Sequence, residues 1–250
     1  MTPVALPGVA QVVTVSGFPA RHGFSTTALG SLGLTEAQDP DLVMERRRRL
    51  AEQIPFEPER AVFAAQVHGA AVRVFRRQDG ATMAQSVLDT DALVSDVRGQ
   101  ALLTYHADCY PVLFADRASG AVGAAHAGWR GTLEGVAFAT VRAFKDGYGT
   151  TPDNLDVLIG PGICAACYEV GPEVAAAFRE RDRDADRYLE PSRDDRLRLD
   201  LRAALRQQLE SCGVRAERIV VSGWCTREDP RWFSHRGGRP GRFVAAVVAP

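Results

Sequence analysis

Between Asp91 and Ala125 the chain carries four short apolar runs, Asp91 to Ser95, Gln100 to Tyr105, Pro111 to Ala115 and Gly120 to Ala125, separated by turn residues. Runs of this length bounded by turn formers read as strands. They follow one another too closely for a helical crossover each time, so antiparallel or mixed pairing is expected. Further strands are expected over Gln11 to Val15, Ala61 to Val67, Ala71 to Phe75, Val157 to Ile159, Arg218 to Ser222 and Arg242 to Val248. The two runs that flank His68-Gly69 suggest a hairpin or a bulged bend.

Helical periodicity is confined to a few places. Pro40 to Gln53 follows the cap residue Asp39 and turns Leu42, Val43, Leu50 and Ile54 inward. After Gly131, the residues Leu133, Val136, Ala137, Thr140, Val141 and Phe144 recur at helical spacing until Gly147 or Gly149. Other helices are expected near Glu173 to Arg179, and after Asp200, where Leu201, Leu205 and Leu209 precede Gly213. Arg46 to Arg49 reads as a solvated helix face, and the charged stretch Arg179 to Arg198 as a surface excursion. Arg21 to Thr27 reads as a polar cluster after a turn. Strands and helices mix without regular alternation, which fits an α+β fold with a mixed β-sheet core flanked by helices. No repeat or hinge-like linker divides the chain, so residues 1–250 are taken as a single catalytic domain.

Composition narrows the classes. With 46% hydrophobic and 24% charged residues the chain is globular, and a formal charge of -1 provides no field to gather nucleic acid or an anionic membrane. No segment approaches the roughly 20 apolar residues of a membrane helix, and the N-terminus has no signal-peptide pattern. Five cysteines form no even framework, so reduced thiols in the cytoplasm are expected. A monomer or weak homodimer is the expected state.

Chemistry is suggested where polar residues interrupt buried runs, since their burial requires partners or a metal. Gln66-Val67-His68-Gly69, Ala107-Asp108-Cys109-Tyr110-Pro111 and Ala125-His126-Ala127-Gly128-Trp129-Arg130-Gly131 are three such places. A thiolate and two imidazoles suit zinc and leave a fourth position for water or reactant. Spacing alone is equally compatible with hydrogen-bonded turn histidines beside a buried cysteine, or with a metal-free Cys109 nucleophile that has a histidine base and Asp108 as orienting group. The Gly128 to Gly131 turn opens a helix, where exposed amides and Arg130 favour an anion such as phosphate. Cys164-Ala165-Ala166-Cys167 has the spacing of a zinc or redox pair but lacks a second pair. Glu169 could bond a sugar hydroxyl or a base edge, and Arg236 and Arg242 could contact an anion.

Six blocks in this order resemble one family: His22-Gly23-Phe24-Ser25-Thr26, Gln66 to Gly69, Ala107 to Leu113, Gly123 to Gly131, Ile159-Gly160-Pro161-Gly162-Ile163, and Cys225-Thr226 with Phe233-Ser234-His235-Arg236. They resemble the laccase-domain, or YfiH-like, family, known successively as multicopper polyphenol oxidases, peptidoglycan editing factors and purine nucleoside phosphorylases. The resemblance implies zinc bound by His68, Cys109 and His126, which are then also the catalytic residues. It implies phosphorolysis of adenosine, inosine and methylthioadenosine to base and sugar 1-phosphate, with adenosine deamination as a second activity. Purine nucleosides and phosphate are the expected partners, with contacts from His22, Ser25, Arg130, Glu169 and Arg236. Copper-dependent phenol oxidation is disfavoured because five histidines cannot build a multicopper cluster. The same residues also admit an editing hydrolase that uses Cys109 as nucleophile, or a non-enzymatic metal- or nucleotide-binding role. Three features depart from the family pattern: Thr27 and a shortened Ala28 to Leu34 segment in place of an arginine and a Gly-Gly-x-Ser turn, Arg46 in place of asparagine, and His106 beside Asp108. His106 is expected to pack across strands.

Overall fold

The computed structural model describes residues 9–33, 39–80 and 85–250. From the N-terminal side these form β1 (Val12–Val13), β2 (Arg21–Ser25), α1 (Pro40–Gln53), β3 (Val62–Ala64), β4 (Val72–Phe75), β5 (Gln85–Val87), β6 (Ala92–Ser95), β7 (Ala101–His106), β8 (Tyr110–Asp116) and β9 (Val122–Ala127). They continue with α2 (Trp129–Leu133), α3 (Val136–Tyr148), β10 (Leu155–Ile159), β11 (Glu169–Val170), α4 (Pro172–Arg181), β12 (Leu189–Pro191), β13 (Leu197–Leu199), α5 (Leu201–Ser211), β14 (Ile219–Val221) and β15 (Phe243–Val248). The fold is α+β. One six-stranded sheet has the order β1-β2-β15-β7-β3-β5, a second β14-β10-β8-β9-β6-β4, and a three-stranded sheet β11-β13-β12.

Both large sheets are buried on both faces, which is why their strands read as continuous apolar runs instead of alternating ones. Successive residues of β15 show the two layers. Phe243, Ala245 and Val247 join Leu113, Ala124 and Leu158 between the sheets. Val244, Ala246 and Val248 instead join Leu50 and Ile54 of the helical layer at α1. On β8 the same alternation sends Val112 and Phe114 to the opposite face, in one cluster with Val141 and Phe144 of α3 and Leu205 of α5. The layers therefore run helix, sheet, sheet, helices. No helix among the described residues is long and apolar enough to cross a membrane.

The capping expectations hold: Asp39 accepts from the amides of Asp41 and Leu42, and Asp200 from those of Arg202 and Ala203. The long helix is broken once, at Gly135, whose φ of +82° separates α2 from α3. Several readings change. Leu42 is 41% exposed, while Val43, Leu50 and Ile54 do face inward. Arg21 to Ser25 is a strand between β1 and β15, with Phe24 fully buried. The runs around His68 form no hairpin. β3 lies parallel to β5 and β7 in the first sheet, and β4 lies parallel to β6 in the second, so the intervening chain crosses between sheets. The stretch from 179 to 198 contributes β12 and β13 and buries Ala185, Tyr188 and Leu189. Residues 1–8 and Leu34 lie outside the described residues. Thr27 donates to the carbonyl of Pro230, and Arg46 reaches the carbonyl of Ser31 at 2.9 Å, which ties α1 to the shortened segment.

Gly123 sets how closely α3 approaches β9: a methyl group there would lie 2.8 Å from Cε2 of Phe144, a fully buried ring. Gly123→Ala is expected to destabilise the protein by about 1–3 kcal/mol, the usual cost of overpacking. Urea denaturation should show the loss, and Phe144→Leu in the same background should recover part of it.

Candidate metal centre

Two of the crossings between the large sheets hold candidate ligands. His68 lies between β3 and β4, and Cys109 between β7 and β8, just after Asp108. Both crossings use a non-glycine residue in the left-handed region, His68 at φ 64° and Asp108 at φ 91°, a conformation that costs energy unless the surroundings enforce it. At His68 the enforcing group is Asp91. Its fully buried carboxylate accepts from the amides of Val67 (3.1 Å), His68 (3.0 Å) and Gly69 (2.8 Å). It also accepts from Nδ1 of His126 at 2.8 Å, leaving Nε2 as that ring's available donor atom. At Asp108 the carboxylate accepts from Thr226 Oγ1 (2.7 Å), Ser234 Oγ (2.6 Å) and the Arg236 amide (2.7 Å). Asp108 thus faces the segment before β15 and orients no histidine, contrary to the role considered for it beside a metal-free nucleophile.

The result is convergence: one donor atom each from His68, Cys109 and His126 lies within 4.8 Å of the others. Burial pushes the Cys109 thiol up, but His126 and His68 outweigh it and bring it down to about 6. Burial likewise disfavours a charged His126, yet Cys109 and Asp91 raise it to about 9. Each of the two groups thus favours the charged form of the other. This soft and borderline donor set fits a cation of the zinc or copper group. His106 stays neutral, held well below its ordinary value by burial. Both of its nitrogens are engaged, with the Cys109 carbonyl and Thr104, and its ring packs 5.4 Å from Phe243, its cross-strand partner.

The three residues line a cleft of about 1130 Å³. Arg47, Arg130, Arg236 and Arg242 also line it, and among the described residues no carboxylate lies within salt-bridge distance of Arg47, Arg130 or Arg236. Arg130 lies over the Trp129 ring at 4.3 Å, and Arg236 over Tyr168 at 5.1 Å while donating to the Glu169 carbonyl. Arg47 departs from the solvated face expected of its run: it donates to Tyr105 Oη at 2.7 Å and covers Phe63.

Three expected substrate contacts are not brought to this cleft. His22 uses both nitrogens locally, with the Ala20 carbonyl and the Val15 amide. Ser25 accepts from the Val244 amide within the first sheet. Glu169 is bound by Arg193, Ser192 and Arg196. The main residue the sequence reading missed is Asp91, which looks like the polar start of an apolar strand. The available signal was an acid leading directly into a buried run, where a charge needs a partner.

The family model described as multi-copper polyphenol oxidoreductase laccase matches residues 16–250. A purine nucleoside phosphorylase of Deinococcus radiodurans is 38% identical over 239 residues, 92% of this chain and 89% of that protein. The purine nucleoside phosphorylase YlmD of Geobacillus stearothermophilus is 35% identical over 244 residues, 93% of this chain and 89% of that protein. Among solved structures, YfiH of Bacillus licheniformis superposes with a TM-score of 0.85 at 29% identity, covering 92% of each chain. YlmD of G. stearothermophilus superposes at 0.83 with 32% identity, covering 98% of this chain and 94% of that one. With the matched sequence spanning both large sheets apart from β1 and every residue of the cleft named above, the chain belongs to the multi-copper polyphenol oxidoreductase laccase, or YfiH-like, family.

Proposed function

We propose that this chain is a zinc-dependent, cytoplasmic purine nucleoside phosphorylase that converts adenosine, inosine and methylthioadenosine to free base and sugar 1-phosphate, and that also deaminates adenosine. The observation that carries this reading is the junction of the His68, Cys109 and His126 donors with an arginine-lined cleft, together with relatives named purine nucleoside phosphorylase. His68, Cys109 and His126 would hold zinc, which supplies Lewis acidity at the open position. Arg130 and Arg236 hold phosphate near the sugar; the bond from C1′ to the base nitrogen breaks as a bond from C1′ to a phosphate oxygen forms. The aromatic faces of Tyr105 and Tyr168 in the lining offer stacking surface for the purine.

The copper reading weakens at the histidines. Of the five, His22 and His106 have both nitrogens engaged, which leaves too few imidazoles for a multicopper cluster. One observation favours a second reading, a Cys109 hydrolase without metal. Asp91, His126 and Cys109 form a hydrogen-bonded chain from carboxylate through imidazole to thiol, the arrangement of an activated nucleophile with Asp91 in the orienting place.

Inosine with phosphate is the discriminating assay. Metal-replete protein should release hypoxanthine only when phosphate is present, and Cys109→Ala should lose the cleft metal and the turnover together. A covalent adduct at Cys109 formed during turnover by metal-stripped protein would establish the hydrolase instead.

Asp91→Asn keeps the shape of the side chain but removes the charge that orients His126. It should weaken zinc binding at the cleft by about 10–100-fold, read by competition with a chelator, with turnover largely restored in excess zinc. Arg130→Ala should raise KM for phosphate by about tenfold or more, the loss of one charged hydrogen bond, with KM for the nucleoside little changed. Initial rates at varied phosphate check this.

A further inference from the structure

The Cys164-Ala165-Ala166-Cys167 pair has no second cysteine pair in the sequence, but the fold supplies two more donors. A parallel bridge between Gly162 and Cys225 sets the segment after β14 against the loop after β10. The Gly162 amide donates to the Trp224 carbonyl, and the Thr226 amide donates back to the Gly162 carbonyl. As a result one ligand atom each from Cys164, Cys167, Cys225 and Glu228 lies within 4.8 Å of all the others. A tetrahedral ion with bonds of about 2.3 Å to sulfur and about 2.0–2.2 Å to oxygen requires ligand atoms roughly 3.5–3.8 Å apart.

Backbone amides gather at the Cys225 sulfur. The Cys164 amide donates to Cys225 Sγ at 3.3 Å, and the amides of Arg227 and Glu228 are directed at the same atom. The Cys167 amide donates to the Cys164 carbonyl, closing the turn that brings the two side chains together, and Cys167 Sγ lies 3.4 Å from Glu228 Oε1. Each half of the cluster is a hook of the form ligand-x-x-ligand, Cys164 with Cys167 and Cys225 with Glu228. Three sulfurs and a carboxylate held this close repel one another once ionised, and a dication removes that repulsion.

We propose that Cys164, Cys167, Cys225 and Glu228 form a second metal site, structural in role, for a divalent cation of the zinc class. With four protein donors it is closed to reactants, unlike the three-donor site in the cleft. Its position gives it a purpose. The two segments it staples also hold the crossing before Cys109: the Ile163 amide donates to the Asp108 carbonyl, and Thr226 donates to the Asp108 carboxylate. The same segments carry Tyr168 and Arg236 to the cleft. The metal therefore stiffens one wall of the reaction cleft without touching the reactant.

Cobalt(II) binding to the purified full chain tests this without reference to turnover. Wild type should take up two equivalents. Cys109→Ser should retain one, with thiolate-to-cobalt charge transfer in the near ultraviolet at about three times the intensity per metal of a single-thiolate site. Cys167→Ser should retain only the cleft equivalent. Glu228→Gln, a milder change at an exposed residue, should keep the native circular dichroism and weaken the second equivalent by about tenfold or more. Chelation should lower the Tm of Cys109→Ser. Failure of Cys109→Ser to bind cobalt would overturn the proposal. So would freshly purified protein lighter by two hydrogens, with Cys225 in a disulfide to Cys164 or Cys167.

Discussion

A single buried carboxylate organises the candidate metal centre. Asp91 is inaccessible to solvent and ionised: burial pushes its carboxyl up, but His126 and the amides of Gly69 and Val67 outweigh this and hold it below the usual carboxylate range. Removing a carboxylate from water costs several kcal/mol unless donors replace the lost hydration. Here four donors do so, three from consecutive amides of one crossing and one from an imidazole on β9. The arrangement is mutual. The amides at 67 to 69 can converge only because His68 takes a left-handed conformation, and that conformation persists because the carboxylate fills the concavity it makes.

Asp108 does the corresponding work on the other side of Cys109. Its carboxylate fixes the segment from Thr226 to Arg236, while its own left-handed backbone turns the chain from β7 into β8 and presents Cys109 to the histidines. Each of these two negative charges is directed at protein donors. The guanidinium groups of Arg47, Arg130 and Arg236 are left to face the cleft with aromatic rings as neighbours, the setting in which a cation retains its attraction for an incoming anion.

Much of the fold was legible because it rests on local signals. The caps at Asp39 and Asp200 and the periodicity through Phe144 locate their helices, and the apolar runs locate most strands. Which sheet a strand joins was not legible. When both faces of a strand are buried the sequence has no polar side to orient it, so β3 and β4 resembled a hairpin although they belong to different sheets. The candidate site divides along the same line. His68, Cys109 and His126 stand out as polar residues among apolar runs, and the family resemblance ties them to one metal. Asp91 reads as a strand's polar end unless its burial is asked to find a partner, and His22 and Ser25, which the family resemblance brought forward, lie in the interior of β2. Glu169 was conspicuous as an acid in a loop, but its neutralising arginines, Arg193 and Arg196, follow it by more than twenty residues.

The two sites differ in how they depend on folding. In the cleft the candidate ligands come from three segments: Cys109 and His126 meet across the β8–β9 pairing, and His68 reaches them through the crossing held by Asp91. The donors lie far apart along the unfolded chain, so the binding energy of an ion there would act as folding energy for the β8–β9 pairing and the crossing at His68. The cluster at Cys164 and Cys225 is different, because each hook places two donors within one turn. An ion can engage one hook before the other arrives, and affinity for the unfolded chain subtracts from the stabilisation it brings. What that cluster adds is the closing contact between the loop after β10 and the segment before β15, the two stretches that carry Tyr168 and Arg236 to the cleft.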